Sequence, residues 1–272
     1  MADYEYWLKQ GRKPLYAPLI DLERPEQRRM AGRLLIIGGS KGAFFAVAQA
    51  MQVAQEMGVG EVRALLPSSL KHQVPSTPEV YFAEAESSGA FGKSAYLEMV
   101  EHATWADAVV IIGDIGKNAE TSVTLAKFLK DCPEVPIYLT RDAVDAAMPD
   151  VTNWAEIRVA VTGLMLSISQ LQKLLRTLYY PKVITLSMPT NQLIETLHKF
   201  TISYPDMPIV TYHNGQIIAA HNGQIVTTAL ADADWTLVTV FNGILTVRMA
   251  ILKMWNEQAP SIATCASAVN WK

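Results

Sequence analysis

Two glycine-containing segments carry the residues of this chain best suited to hold a ligand. They are Gly38-Gly39-Ser40 and Gly113-Asp114-Ile115-Gly116, and each directly follows an apolar run. Glycine permits close backbone approach, and the N–H groups at the start of a following helix favour anions. The segments therefore predict a small-molecule site, although the same glycines could simply turn a strand into a helix.

The elements around these segments alternate in a regular way. The predicted strands are the apolar runs 33–37, 61–66, 108–112, 135–140 and 157–161. The predicted helices cover 41–57 and 119–130, a short stretch that ends at 147, and a stretch that follows Thr162-Gly163 and ends near 178. Apolar strands that alternate with helices are typical of a parallel sheet covered on both faces. Ligands of such sheets lie beyond the carboxyl ends of the strands, where the glycine segments fall.

The last third of the chain has a different pattern. Three short β runs, at 208–213, 216–220 and 224–229, are separated by Asn214-Gly215 and Asn222-Gly223. Asn-Gly between β runs predicts a type I′ hairpin turn, because both residues tolerate positive φ. We therefore expect a β-meander, then a strand at 235–241, a helix at 244–255 and another helix from about 260 to the end.

Composition limits the possible functions of the 272-residue chain. It carries 23 Lys and Arg against 26 Asp and Glu, a net charge of −3, and half of its residues are hydrophobic. These values predict an ordered globular protein and disfavour nucleic-acid binding. Cys132 and Cys265 lack metal-ligand spacing, so we expect no metal site, and no segment has the pattern of a leader or a membrane span. We expect a cytoplasmic protein with an N-terminal arm at 1–32 and one α/β domain at 33–272, without membrane partners.

Several motifs together resemble one known family. Leu35-Ile-Ile-Gly-Gly-Ser-Lys-Gly leads into an Ala-rich helix, and Gly113-Asp-Ile-Gly116 follows the predicted strand at 108–112. Tyr138-Leu-Thr-Arg-Asp142 spans the end of the predicted strand at 135–140. In order and spacing these segments resemble the ATP- or ADP-dependent NAD(P)H-hydrate dehydratases of the ribokinase-like superfamily. The resemblance implies a three-layer α/β sandwich with a mostly parallel central sheet.

The resemblance also implies a site and its ligands. Ala46 and Gly116 would contact a hydrated nicotinamide ring, and the turns at Gly39 and Gly113 would shape the cleft. The implied substrate-binding residues are Gly39, Ser40, Ala46, Gly113, Gly116 and Asp142. The implied nucleotide-binding residues are Asn242 and Gly243. The family implies ATP or ADP with Mg²⁺ as cofactor, NAD(P)H hydrate as substrate, and a homo-oligomer, either a dimer or a tetramer.

The chain departs from the family at three functional positions. The loop that carries the family's substrate-facing His corresponds to 162–167 or, less well, to 186–191, and neither contains His. No Lys lies between Phe200 and Leu252, where the family has its nucleotide-binding Lys. The catalytic Asp of the family's Gly-Thr-Gly-Asp segment is replaced by Thr239, Asn242 or Gly243, depending on the alignment, and none of these can act as a carboxylate base.

The sequence thus leaves several functional hypotheses. The chain resembles an NAD(P)H-hydrate dehydratase but lacks its Asp, Lys and His, so its catalytic residues are unknown. The alternative is a non-catalytic ribokinase-like protein that binds a small molecule or acts as a scaffold. A small-molecule kinase of the same superfamily would need the same missing Asp.

Overall fold

The computed structural model describes residues 5–10, 23–132, 134–153, 161–230 and 240–270. Its centre is a ten-stranded sheet with the order β1-β10-β9-β8-β7-β6-β5-β2-β3-β4. The strands are β1 Trp7–Gln10, β2 Arg33–Ile37, β3 Glu61–Pro67, β4 Val80–Ala83, β5 Ala108–Ile111, β6 Ile137–Thr140, β7 Val161–Leu166, β8 Ile209–His213, β9 Gln216–His221 and β10 Gln224–Ala229. Neighbouring strands are parallel except that β9 is antiparallel to both β8 and β10. The expected mostly parallel sheet with a C-terminal meander is confirmed.

Helices cover both faces of this sheet. They are α1 Phe45–Met57, α2 Ala95–Trp105, α3 Ala119–Asp131, α4 Asp142–Ala147, α5 Ile168–Thr177, α6 Thr190–Ser203, α7 Ile244–Trp255 and α8 Ser261–Asn270. Successive strand residues point to opposite faces. Leu34 and Ile36 accordingly pack in the core under α1, α7 and α8, whereas Leu35 and Ile37 pack under α2 to α6. The predicted three-layer sandwich is therefore confirmed.

The two Asn-Gly turns of the meander have the predicted backbone. The φ angles are 47° at Asn214, 76° at Gly215, 47° at Asn222 and 75° at Gly223. Both turns thus place both residues at positive φ, as a type I′ turn requires.

One predicted strand is displaced. Thr162-Gly163 does not follow a strand but lies inside β7, which ends at Leu166, and residues 157–160 lie outside the described ranges. A Cβ at Gly163 would come within 2.6 Å of Cδ1 of Tyr138 on the neighbouring strand β6. This glycine therefore makes room for a ring in the sheet and does not form a turn.

Two other predictions need correction. The helix expected over 41–57 begins only at Phe45, because Ser40 and Ala43 first form a tight turn with N···O distances of 2.8 and 2.9 Å. Val240 and Phe241, the last two residues of the strand expected over 235–241, are helical. Residues 235–239 lie outside the described ranges.

The N-terminal residues contribute a strand to the main sheet. β1 pairs in parallel with β10, and Nε1 of Trp7 donates to Oγ1 of Thr227 at 3.0 Å. Nε2 of the buried Gln10 donates to the carbonyl of Ala266 at 3.1 Å. The division into an arm and a domain stays a prediction. Within the described ranges no helix is long and apolar enough to cross a membrane.

A buried histidine makes stability depend on pH. His102 on α2 is 8% exposed, and its Nδ1 has no hydrogen-bond partner in the described part of the chain. Burial lowers the pKa of His102, and the nearby Arg63 lowers it further. Because an unfolded histidine has a pKa of about 6.5, the unfolded chain binds more protons below that pH, and the stability present above it is lost as pH falls.

We therefore expect the free energy of unfolding to decrease between about pH 7.5 and about pH 5.5, and to decrease less in a His102→Gln variant. Urea denaturation at the two pH values measures both changes. Burial also lowers the pKa of His221, so part of the decrease should survive in the variant. Equal decreases in the two proteins would show that His102 does not contribute.

Candidate functional site

The site predicted from the glycine segments lies where β2, β5 and β6 end. The N–H of Gly39 donates to the carbonyl of Gly113 at 3.2 Å, which joins the ends of β2 and β5. The N–H of Asp114 donates to Oδ1 of Asp142 at 2.6 Å, which joins the ends of β5 and β6. The structure thus brings Gly39, Gly113 and Asp142 together at the carboxyl edge of the sheet.

Gly113 is required by this packing. Its φ is +37°, and a Cβ there would lie 2.4 Å from Oδ1 of Asp142 and 2.6 Å from Cβ of Arg141. Any other residue would have to displace the carboxyl group. The close approach that the sequence predicted at Gly113 therefore exists, but the group that approaches is Asp142.

Asp142 is a half-buried carboxyl with an unusual proton affinity. Burial raises its pKa, and the hydrogen bond from the Asp114 N–H opposes that rise. The neighbouring Asp114 carboxylate also raises this pKa, although Nη2 of Arg141 neutralises Asp114 in an ion pair of 2.6 Å. The carboxyl oxygens of Asp142 can accept hydrogen bonds from a ligand.

A loop that the sequence analysis missed forms one wall of this site. It consists of residues 84–94 and is here called the 84–94 loop. The Lys41 N–H donates to the carbonyl of Gly89 in this loop at 3.0 Å. Nδ2 of Asn118 donates to Oε1 of Glu86 at 3.0 Å. The loop thereby ties the turn after β2 to the start of α3. Its acids and serines show no periodicity, so only their polarity could have suggested a role.

The other three implied substrate contacts have different surroundings. Gly116 packs against the 84–94 loop, because a Cβ there would lie 2.9 Å from Cβ of Ala90. Ser40 is half-buried in the turn before α1. Ala46 lies on α1, is 1% exposed and packs in the core. Their roles in ligand binding stay predictions.

Asn242, one of the positions proposed for the missing Asp, forms hydrogen bonds to the start of α7 and to α1. It is 7% exposed, and its Oδ1 accepts a hydrogen bond from the Ile244 N–H at 3.2 Å. Its Nδ2 donates to Oε1 of Gln49 on α1 at 2.9 Å. The amide thus satisfies the start of α7 and joins it to α1.

Gly243 packs tightly against the sheet. Its φ is +100°, and a Cβ there would lie 2.7 Å from Cδ1 of Ile112, at the end of β5. Gly243 therefore makes room for the Ile112 side chain, and any other residue there would have to displace it. Thr239, the remaining alternative for the Asp position, lies outside the described ranges.

The two segments that correspond to the family's His-containing loop, 162–167 and 186–191, have structural roles. In the better-matching one, Ser167 caps α5 and accepts a hydrogen bond from the Gln170 N–H at 3.2 Å. Nε2 of Gln170 then donates to the carbonyl of Arg141 at 2.7 Å, so this cap supports the site. In the other, the carbonyl of Met188 lies 2.7 Å from Nε2 of His213. Across the described part of the chain, no three His, Cys, Asp or Glu side chains are grouped so that they could hold a metal ion.

Comparison with known sequences gives one informative relative. The chain is 32% identical over 132 residues to the "bifunctional NAD(P)H-hydrate repair enzyme" of Methanothermobacter thermautotrophicus. The match covers 47% of this chain and only a quarter (25%) of the length of that relative. No family model matches the chain.

Comparison with solved structures establishes the fold. A ribokinase-like superfamily protein of Enterococcus faecalis has a TM-score of 0.66 at 13% identity, over 98% of this chain and 87% of the other. The ADP/ATP-dependent NAD(P)H-hydrate dehydratase of Bacillus subtilis, co-crystallised with ATP and Mg²⁺, has a TM-score of 0.53 at 14% identity, over 90% and 80%. A hydroxyethylthiazole kinase of Pyrococcus horikoshii has a TM-score of 0.57 at 11% identity, over 92% and 79%. The fold is thus ribokinase-like.

Proposed function

We propose that this ribokinase-like chain, a divergent relative of the NAD(P)H-hydrate repair enzymes, binds a reduced nicotinamide nucleotide or its hydrate without performing nucleotide-dependent dehydration. One observation carries the proposal. The two halves of the site differ, because the Asp142 carboxyl is held at the strand ends, whereas the Asn242 amide is buried and hydrogen-bonded to Ile244 and Gln49.

The half of the site around Asp142 supports binding. Its backbone is fastened across three strand ends, and the ion pair between Arg141 and Asp114 lies beside it with side chains 33% and 20% exposed. A pre-formed set of a carboxyl, a guanidinium and backbone groups can orient a polar ligand without reorganisation.

The half around α7 argues against phosphoryl transfer. Transfer to a substrate hydroxyl needs a base and free backbone N–H groups that stabilise phosphate charge. Asn242 cannot accept the proton as a carboxylate would, and its Oδ1 already accepts the Ile244 N–H. Asn242 and Gly243, the described candidates for the position of the family's catalytic Asp, therefore supply no base for transfer from ATP or ADP with Mg²⁺, and we derive no reaction step through these groups.

An active NAD(P)H-hydrate dehydratase is the second candidate. It is favoured by the 32% identity to a repair enzyme, and it would require a base from elsewhere in the protein or its assembly. The two candidates differ in turnover and agree that a nicotinamide nucleotide binds.

Binding can be tested at Asp142. We expect isothermal titration to detect NADH or hydrated NADH on the wild-type protein, and an Asp142→Ala variant to bind about tenfold more weakly, since about 1.4 kcal/mol is the order of one lost hydrogen bond. Glu195→Gln, which removes an exposed carboxylate on α6, is the matched control and should bind like the wild type. Absence of binding by the wild-type protein would contradict the proposal.

A further inference from the structure

The connection between α5 and α6 exposes an unusual amount of apolar surface. Tyr179 is 91% exposed, Val183 70% and Leu186 77%, all within one loop. Tyr179 also has a positive φ of 52°, which is rare for a residue with a bulky side chain. Single exposed apolar residues are common, but a group of them beside a groove marks an interaction surface.

A groove of about 490 Å³ lies in the same loop. It is lined by Arg176, Tyr180, Pro181, Lys182 and Val183, among others.

The floor of this groove is held in place by packing. The Tyr180 ring meets Phe200 edge-on with 5.1 Å between centroids, and the N–H of Ile184 donates to Oε1 of Gln172. The groove is therefore preformed, which reduces the entropy that a bound segment must lose.

The charge around the groove is positive on a chain whose net charge is negative. Residues 161–194 contain no Asp or Glu, and they contain Lys173, Arg176 and Lys182. Lys173 pairs with Asp145 at 3.1 Å, but neither Arg176 nor Lys182 makes an ion pair with any residue that the structure describes. Lys182 lies close enough to Glu195 to lower the pKa of that carboxyl group. The Glu195 carboxylate, however, already forms an ion pair with Lys199 at 2.5 Å.

We propose that this groove binds an acidic peptide segment with apolar side chains, supplied by another protein. Carboxylates would neutralise Arg176 and Lys182, while apolar side chains would cover Tyr179, Val183 and Leu186. Tyr and Arg are among the residues that carry most of the binding energy at interfaces. A concave groove suits a peptide better than it suits a flat lipid surface.

Peptide display on the folded protein tests this inference. We expect random peptides selected on the wild-type chain to be rich in Asp or Glu together with Leu, Phe or Trp. They should bind at least tenfold more weakly to the double variant Arg176→Glu, Lys182→Glu. Their affinity should also fall as salt rises. A second double variant, Lys71→Glu with Lys130→Glu, makes the same change in net charge at exposed positions elsewhere, and should bind like the wild type.

Four results would overturn the proposal. Selected peptides could lack acids, or they could bind the groove variant as well as the wild type. Vesicles of phosphatidylglycerol could co-sediment with the wild type and not with the groove variant, which would assign the surface to lipid. Sedimentation velocity could show self-association that the groove variant abolishes, which would assign it to a second copy. Circular dichroism of each variant establishes that it is folded.

Discussion

Replacement of Gly243 by alanine is expected to lower the free energy of unfolding by about 2 to 4 kcal/mol, from positive φ and overpacking together. The residue has a φ of +100°, and the new Cβ would come within 2.7 Å of Cδ1 of Ile112, which is fully buried. The measurement is urea or thermal denaturation followed by circular dichroism.

Gly42→Ala is the matched control, because Gly42 also has a positive φ, +80°, but nothing lies within 4 Å of its Cβ position. We expect Gly42→Ala to lower the free energy of unfolding by about 1 kcal/mol, from the positive φ alone. In a double-mutant cycle, Ile112→Ala should recover part of the loss at Gly243, because it removes the clashing atoms. Equal effects at Gly243 and Gly42 would mean that the space beside Gly243 is open.

Replacement of Asn242 by alanine is expected to lower the free energy of unfolding by about 2 kcal/mol, because the Ile244 N–H and the Gln49 side chain each lose a hydrogen-bond partner. Asn242→Asp should stay within about 1 kcal/mol of the wild type, because a carboxylate can accept the same N–H and is favoured at the positive end of a helix. The Gln49 amide can then turn so that its NH₂ donates to the carboxylate. Chemical denaturation of the three proteins measures these differences.

Asn118→Ala provides the comparison for Asn242, since Asn118 caps α3 by accepting from the Thr121 N–H at 2.7 Å but is less buried. It should cost about 1 kcal/mol. If Asn242→Ala were as stable as the wild type, the hydrogen bonds of Asn242 would not contribute to stability. The argument that Asn242 has a structural role at the catalytic position would then fail.

Sequence patterns predicted the elements that depend only on residues close together in the chain. The Asn-Gly pairs set both hairpin turns through backbone preferences of the residues themselves, and α7 has the predicted bounds, Ile244–Trp255. β2 likewise has the predicted bounds, Arg33–Ile37, because it is a continuous apolar run before a glycine pair.

Long-range packing decided what the sequence could not predict. Gly163 lies within β7 because of the Tyr138 ring on the next strand, and no neighbour in sequence signals that contact. The bounds of β4 were not predicted, since Val80–Ala83 is short and lies at the edge of the sheet. The 84–94 loop is tied to the site through Lys41 and Asn118, which are distant in sequence.

The candidate site likewise combines features that the sequence predicted with features that depend on long-range packing. The sequence predicted that the turns at Gly39 and Gly113 lie at one edge of the sheet, because parallel strands end there. Asp142 was implied only by the family resemblance, and the structure joins it to Gly113 and Asp114. The sequence also left Thr239, Asn242 or Gly243 as the replacement for the catalytic Asp. That the Asn242 amide would bond to Ile244 and Gln49 depends on how α1 packs on α7.

The most direct test of the proposed function is a repair assay on the purified protein. Hydrated NADH is incubated with ATP or ADP and Mg²⁺, and the absorbance of reduced nicotinamide is followed against a control without protein. We predict no recovery of absorbance above that control, while titration shows that the hydrate binds. Recovery that depends on both the protein and the nucleotide would contradict the proposal and establish an active dehydratase.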